Sequence, residues 1–493
     1  MRVFQRIHKK LNWSVKRYMM VIALILLITY VASAIFQTYK SIPEGLDYAG
    51  QTRTSEVEFL ADRTFVNANG QNQSEQQIFD AMLTLIDQAQ TTIVLDMFLF
   101  NAELGESKLE HRPLTAQLTK ALIDKKKLNP RIQIVMITDP INTVYGGVRP
   151  EHLHQLENAG IQVVVTDLRP LRASNPAWSG LWYMCCQSLG NNTETGWLPN
   201  PFGDQKITLR SYLALANFKA NHRKTMVVDT LNGWKTLISS ANPHDASSEH
   251  SNVAMIIHGK IASEVLATEA TVAKMSQGDV PALIIGENQA SSDAPQVQLL
   301  TEEQIYDHVL QAINATASGE QLDLMMFYLS ERQIVKALIA AKQRGVQVNV
   351  LLDPNKDAFG MQKNGIPNRQ VAWELHKNDV PVRWCNTQGE QCHSKLLVIT
   401  KLDQLEQFQQ KQVILGSANY TARNLKNYNL ETNVAVTGQA SYPAIASAQQ
   451  YFDQAWNNQN GQVMSVDYDE YKDESWLKYW LYRFMEWSGL STF

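Results

Sequence analysis

The same succession of elements is written twice in this chain. Gln77-Ile78-Phe79-Asp80 opens an amphipathic run leading into an apolar strand at 92–98, and Gln304-Ile305-Tyr306-Asp307 opens another leading into 322–327. Ala121-Leu122-Ile123 precedes the apolar stretch 132–138 and Asp139-Pro140, just as Ala337-Leu338-Ile339 precedes 346–352 and Asp353-Pro354. A helix end, a turn and a strand follow at 156–165 and again at 375–384. Helices alternating with continuously apolar strands predict α/β layers, because a strand apolar at every position must be covered on both faces. The expected fold is two fused α/β repeats, each a mixed, largely parallel sheet flanked by helices, with one active site shared between them.

The order of elements also sets the expected boundaries. The first half is predicted over 37–285, with its repeated part starting near 55, and the second over 286–460. The Ser-, Ala- and Asp-rich stretch 288–295 reads as a linker. One insertion, at about 168–216, breaks the match and carries Trp178, Trp182, Tyr183 and Trp197. It lies just upstream of a motif, so it is expected to wall or cover the site. Its aromatics either face lipid or pack the insertion onto the domain.

Each half ends in a related motif. The first reads His222-Arg223-Lys224, then Asp229, then Ser239-Ser240-Ala241-Asn242. The second reads His393-Ser394-Lys395, then Thr400 where the Asp would fall, then Gly416-Ser417-Ala418-Asn419. Residues 225–228 and 396–399 read as strands leaving each histidine, and 413–415 as the strand delivering the second small-residue turn. Phosphodiester cleavage needs a nucleophile, a proton for the leaving oxygen and positive charge around phosphorus. Two imidazoles divide the first two tasks, one attacking phosphorus and the other moving protons. Lys224 and Lys395, two residues on along an extended strand, lie on the same side as the histidines and hold phosphoryl oxygens. Ser240, Asn242, Ser417 and Asn419 add hydrogen bonds. This chemistry requires no metal and no cofactor.

The N-terminus is of another kind. Residues 1–17 contain Arg2, Arg6, Lys9, Lys10, Lys16 and Arg17 and no acidic residue, and 18–36 is almost wholly apolar without a charge. That run is long enough to cross a bilayer as a helix. The basic flank favours the cytoplasm, which puts the catalytic body on the exoplasmic side, in a periplasm or lumen. Ala32-Ser33-Ala34 also matches a signal-peptide cleavage pattern. The long basic region, and the apolar run continuing past that site, favour a retained signal-anchor.

Charge and cysteines bound the partners. The chain has 44 Lys and Arg against 48 Asp and Glu; without the six N-terminal cations the body has 38 against 48, about −10. A body of that sign favours nucleic acid less as a partner, since phosphate-backbone binders usually carry a basic surface. The four cysteines fit an oxidising compartment. A Cys385–Cys392 bridge and cross-bridges to Cys185 and Cys186 are both open. No CxxC spacing points to a zinc site.

The two His-x-Lys motifs, with Asp229 completing the first and the Gly-Ser-Ala-Asn turn completing the second, resemble the signature of the phospholipase D superfamily. The resemblance spans most of 55–460 and includes the duplicated plan. It implies that both motifs share one pocket, with His222 as nucleophile, His393 as acid/base, and Lys224, Asp229 and Lys395 in the catalytic set. It also implies that Glu431 is the acidic residue orienting the opposite histidine. Aligned through Asn252 and Asn433, the first half has His250 at the place of Glu431, with Glu249 beside it as the expected substitute.

His222-Arg-Lys is similar to the first motif of the cardiolipin synthase group. The reading taken forward is a membrane-anchored phosphodiesterase that hydrolyses or transfers the phosphatidyl group of phospholipids. The alternative is an exported or lumenal nuclease of the same superfamily. A non-catalytic scaffold would not need both histidines and both lysines. In the tail, 461–493, Trp476, Trp480, Phe484 and Trp487 recur at helical spacing; they either dock on the protein or lie in a membrane interface.

Overall fold

The computed structural model describes residues 14–106, 110–283, 285–286, 290–358, 361–402 and 409–491. Arg2, Arg6, Lys9 and Lys10, and Asn288 of the expected linker, lie outside the described residues.

Two sheets carry the fold. A short strand, β1 (Arg53–Thr54), joins the edge of the second. The first is built from β2 (Val57–Val66), β3 (Asn72–Glu75), β4 (Thr92–Met97), β5 (Gln133–Thr138), β6 (Gln162–Val165), β7 (Lys224–Thr230), β8 (Gly233–Ser239) and β9 (Asn252–His258). Its order is β3-β2-β9-β8-β7-β4-β5-β6. The second uses β10 (Gln296–Thr301), β11 (Gln321–Met326) and β12 (Gln347–Leu352). After a separate hairpin, β13 (Asp357–Ala358) and β14 (Met361–Gln362), it continues with β15 (Val382–Cys385), β16 (Lys395–Lys401), β17 (Gln410–Gly416), β18 (Thr432–Gln439) and β19 (Ser465–Asp467). Its order is β1-β10-β18-β17-β16-β11-β12-β15-β19. The run β9-β8-β7-β4-β5-β6 thus corresponds strand for strand to β18-β17-β16-β11-β12-β15.

The expectation of largely parallel sheets is corrected. Parallel pairing is confined to β4–β5–β6 and β11–β12–β15. The strands leaving each histidine pair antiparallel with their neighbours. β7 and β8 are joined by only Leu231 and Asn232, and a connection that short closes only an antiparallel pair.

The sheets stack face to face with helices outside. Val253 and Met255 of β9 share one buried cluster with Val413 and Leu415 of β17 and Val434 and Val436 of β18. Outside the first sheet, helix Ile78–Gln88 buries Ile78, Phe79, Met82, Leu85 and Ile86, one stripe at helical spacing. Its counterpart, helix Glu303–Asn314, buries Ile305, Val309, Ala312 and Ile313 against the second sheet.

Helix Val15–Tyr39 is the one described helix long and apolar enough to cross a membrane, with a mean hydropathy of 2.6 over its most apolar window. Its C-terminal part is fastened to the insertion. The Tyr30 hydroxyl donates to Ala177 O (2.8 Å), Ala173 N donates to Gln37 O (2.8 Å), and Arg172 Nε donates to Lys40 O (3.1 Å). Insertion helix Pro176–Cys185 approaches so closely that a Cβ on Gly180 would lie 2.9 Å from the Ala34 Cβ. The pairings Cys385–Cys392 and Cys185–Cys186 settle the cysteine alternatives.

The tail joins the second half. β19 pairs with β15, and helix Trp476–Ser488 lays Tyr479, Tyr482 and Met485 onto that core. The Trp stripe itself stays outside, with Trp476, Trp480, Phe484 and Trp487 all exposed.

Arg223 ties the halves at depth. Its fully buried guanidinium bonds Glu302 of the second half (2.8 Å) and meets Glu269 of the first (3.3 Å). Removing one partner of a buried ion network leaves uncompensated charge and costs about 3–5 kcal/mol. Arg223→Met is therefore expected to lower the unfolding free energy by that order in denaturant titration; an unchanged midpoint would contradict the role given to this residue.

Candidate active site

His222 and His393 immediately precede β7 and β16, where both sheets end against one another. Each histidine segment is bridged through its backbone to the opposite half. His222 N donates to Leu430 O (2.9 Å) and Leu430 N to Ala220 O (3.0 Å), while His393 N donates to Ser251 O (2.8 Å) and Ser251 N to Gln391 O (3.1 Å). The carboxylates of the two Asp-Pro steps hold the turns from below. Asp139 accepts from Asn221 N (2.6 Å) and Asp353 from Cys392 N (2.9 Å). Burial pushes them up to about 7 and about 6, respectively.

The two histidines line one cavity of about 400 Å³ together with Asn242, Asn419 and Arg423. Apolar side chains form much of the remaining wall: Phe98, Phe327 and Tyr328 from the two halves, and Phe202, Leu215 and Phe218 from the insertion and its exit. The expected wall is thus where the insertion lies. A wider groove of about 760 Å³ beside Arg53, His258 and Lys260 shares no lining residue with this cavity.

The surroundings of the two signatures match closely. Lys224 Nζ donates to His222 O (2.7 Å) and sits 5.0 Å from the Phe98 ring centre. Lys395 Nζ donates to His393 O (2.7 Å) and sits 5.1 Å from that of Phe327. Phe98 and Phe327 also pack against His222 (4.6 Å) and His393 (4.9 Å).

The symmetry breaks at the residues that orient the imidazoles. His222 Nδ1 lies 2.9 Å from Glu431 Oε1 and 3.0 Å from Oε2. Glu431 is itself held by the Ser417 hydroxyl and the Asn424 amide. His393 Nδ1 instead lies 3.0 Å from Asn252 Oδ1. The amide orientation follows from its neighbours. Ser240 Oγ accepts from Val253 N and donates to Asn252 Oδ1 (both 3.0 Å), and Asn252 Nδ2 donates to His250 O (3.1 Å). Both acceptors fix the proton on Nδ1 and leave Nε2 with its lone pair.

Several expectations change here. The counterpart of Glu431 is Asn252, not His250 or Glu249. Ser417 N donates to Thr432 O and Ser240 N to Val253 O, which aligns 253 with 432 and moves the register by two. Ser240 and Ser417, expected to bind substrate, are fully buried and spend their hydroxyls on the orienting residues. Asp229 is not beside the histidines. β7 carries it about 17 Å from Lys224, where its carboxylate accepts from Gln90 N, Thr91 N and Thr92 N. It fixes the turn into β4. Asn252, Phe98, Phe327, Asn424 and Arg423 were missed; Phe98 and Phe327 were visible as matched ends of repeated strands.

Burial lowers the pKa of all four basic groups of the two signatures. Burial lowers His222 to about 4, with Glu431 opposing and Lys224 and Lys395 reinforcing. Burial also lowers Lys224 to about 7, against the pull of Glu431, Asp96 and Asp139. His393 and Lys395 fall well below their usual values, first by burial and then by neighbouring cations. Among the described residues no group of three or more His, Cys, Asp and Glu is placed to hold a metal ion.

His222 and His393, one from each α/β repeat, thus line one cavity, with Lys224 and Lys395 buried beside them and bonded to their carbonyls. The family model for "Cardiolipin synthase, PLD-like domain" matches residues 309–456. Phosphatidylserine synthase from Haemophilus influenzae Rd KW20 has the same fold, at 10% identity and a TM-score of 0.53 over 90% of this chain and 96% of that one. Nuc, a phospholipase D family member from Salmonella typhimurium, aligns with 36% of this chain and 99% of its own, at 21% identity and a TM-score of 0.27. No curated protein matches the chain. The resemblance to the phospholipase D superfamily is thus met by a family-model match within the second half and by a shared fold over most of the chain.

Lys224 gives a pH test. Unfolded, it keeps its proton up to its ordinary 10.5; folded, only to about 7. Stability should therefore rise from pH 7 towards 10.5, where the unfolded chain holds the extra proton. Sulfate, whose charge is constant over this range, should raise the Tm more at pH 6 than at pH 9, and Lys224→Met should reduce that difference. Equal shifts at both pH values in the unaltered protein would contradict this account.

Proposed function

We propose that this chain is a membrane-anchored phosphodiesterase of the phospholipase D type that hydrolyses or transfers the phosphatidyl group of phospholipids. The observation that carries the reading is the composition of the cavity. Paired histidines, each with a buried lysine beside it, line a cavity whose wall joins aromatic and aliphatic side chains such as Phe98, Phe202, Leu215 and Phe327 to polar ones such as Asn242, Asn419 and Arg423. A phosphodiester esterified to an apolar alcohol matches both parts. The anchor helix and the acidic body favour lipid over nucleic acid, and the body is assigned to the exoplasmic side.

In the proposed mechanism His222 Nε2 attacks phosphorus. His393 takes up a second proton, on Nε2, as the phosphodiester anion binds; the P–N bond then forms, the P–O bond to the leaving alcohol breaks, and the leaving oxygen takes that Nε2 proton, returning His393 to its neutral form. The Glu431 carboxylate offsets the positive charge that develops on His222. Lys224 and Lys395 neutralise the phosphoryl oxygens, and Asn242 and Asn419 complete their hydrogen bonding. Water or an acceptor alcohol then attacks phosphorus, passes its proton to His393, and releases His222. A carboxylate behind His222 and a neutral amide behind His393 suit this division. The first supports a cationic phosphohistidine; the second leaves an imidazolium that gives up its proton readily.

Mass spectrometry of products from mixed phospholipid micelles and a primary alcohol tests the reading. Phosphatidic acid or a new phosphatidyl-alcohol is expected, absent with His222→Ala. No lipid product from folded protein, together with release of nucleotides from single-stranded DNA, would replace this reading with the nuclease one.

Asn252→Asp places a carboxylate behind His393 and raises its pKa. The alkaline limb of kcat/KM should move up by about one pH unit, since an opposite charge at this range shifts a pKa by about 1–3. An unmoved limb would remove His393 from the proton-donor role.

A further inference from the structure

The outer face of helix Trp476–Ser488 is apolar along its length. Trp476 is 64% exposed, Leu477 74%, Trp480 52%, Leu481 46%, Phe484 50% and Trp487 83%. The inner face is already engaged. The Tyr482 hydroxyl donates to Ser330 O (3.1 Å), that of Tyr479 to Glu374 (3.1 Å), and Glu486 accepts from Ser330 Oγ (2.7 Å). The helix is thus locked in rotation with six large apolar side chains turned outward. A patch of that kind on a folded protein marks a docking surface.

Its position identifies the partner. The helix ends at Gly489, so close to the insertion that a Cβ there would lie 1.6 Å from Ser174 O. Ser174 follows Ala173, which bonds Gln37 of the anchor helix, and shortly precedes Ala177 and Gly180, which touch Tyr30 and Ala34. One strip, 173–180, therefore meets the end of the aromatic helix and the last turns of the membrane-crossing helix. Insertion helix Pro176–Cys185 runs beside those turns and exposes Leu181 at 46%. Arg423, in the wall of the catalytic cavity, donates to Ser174 Oγ (3.1 Å) and to Gly489 O (3.4 Å).

The geometry points to a lipid-bilayer docking surface: helix Trp476–Ser488, with Leu181 of the insertion, lies in the interface of the membrane that the anchor crosses, and holds the cavity mouth against that leaflet. Three Trp and a Phe on one face suit the headgroup region, where an amphipathic ring has its lowest free energy. The anchor supplies continuity, because a surface joined to its last turns is already at membrane level. This assignment is independent of which phosphodiester the site cleaves; only the activity arm of its test rests on the proposed function.

The full chain is reconstituted in phosphatidylcholine nanodiscs with and without brominated acyl chains, which quench nearby Trp fluorescence. The triple variant W476F/W480F/W487F is expected to show a markedly smaller fractional quench than the unaltered chain. Equal quenching would place the three rings outside the bilayer and overturn the inference. In the second arm, W480D/F484D should slow turnover of vesicle phospholipid about tenfold while leaving hydrolysis of water-soluble bis(p-nitrophenyl) phosphate unchanged. Equal turnover on vesicles would also overturn it. If the unaltered chain turns over no phospholipid, the proposed function fails and the quenching arm still decides. A detergent-solubilised dimer broken by W480D/F484D, with no difference in quenching, would assign the face to a second copy of this chain instead.

Discussion

Everything at the site depends on an exchange of backbone between the two halves. The segment before β7 pairs with the segment before β18, and the segment before β16 with the segment before β9. Each histidine therefore stands beside an acceptor from the other repeat: His222 beside Glu431, His393 beside Asn252. Neither half holds a complete unit of imidazole and orienting group. The face-to-face packing of the sheets supplies the large apolar term that keeps the halves together, and Arg223 between Glu269 and Glu302 fixes their register at depth. Stability of the interface and competence of the site are consequently the same structural fact.

That interface also creates the electrostatic condition of the pocket. Lys224 and Lys395 are fully buried, donate to the carbonyls of their own histidines, and share the pull of one carboxylate, Glu431, with Asp96 and Asp139 also acting on Lys224 and Asp353 on Lys395. Burial and mutual repulsion hold all four basic groups towards their neutral forms. In the proposed function a phosphate group entering such a place meets donors that gain their charge as it binds, which links protonation to binding.

Much of this was legible beforehand, for physical reasons. Apolar strands recur with matched helices and Asp-Pro stops because both halves solve the same packing problem, and the His-x-Lys spacing survives because an extended strand puts both side chains on one side. What stayed hidden involves direction and register. A buried antiparallel strand such as β7 has the same apolar composition as a parallel one. Asn252 and Asn433 are the same residue type near the start of equivalent strands, yet they differ by two positions, so alignment on them pointed to His250. Ser240 and Ser417 look like ligand donors in a small-residue turn; only the fold reveals that their hydroxyls are consumed behind the histidines. Asp229 belongs to the motif in sequence and leaves the site in space because a strand rises steadily away from its start.

The clamp between helix Val15–Tyr39 and the insertion has a consequence for search. A catalytic body on a flexible stalk sweeps a hemisphere and meets the bilayer in every orientation, most of them unproductive. Here the helix is gripped at Tyr30, Ala34, Gln37 and Lys40 by the same insertion that contributes Phe202 and Leu215 to the cavity wall. In the proposed function this removes rotation of the body about its tether, so that diffusion becomes two-dimensional with the mouth at constant tilt and encounter with a lipid is governed by lateral motion in one leaflet.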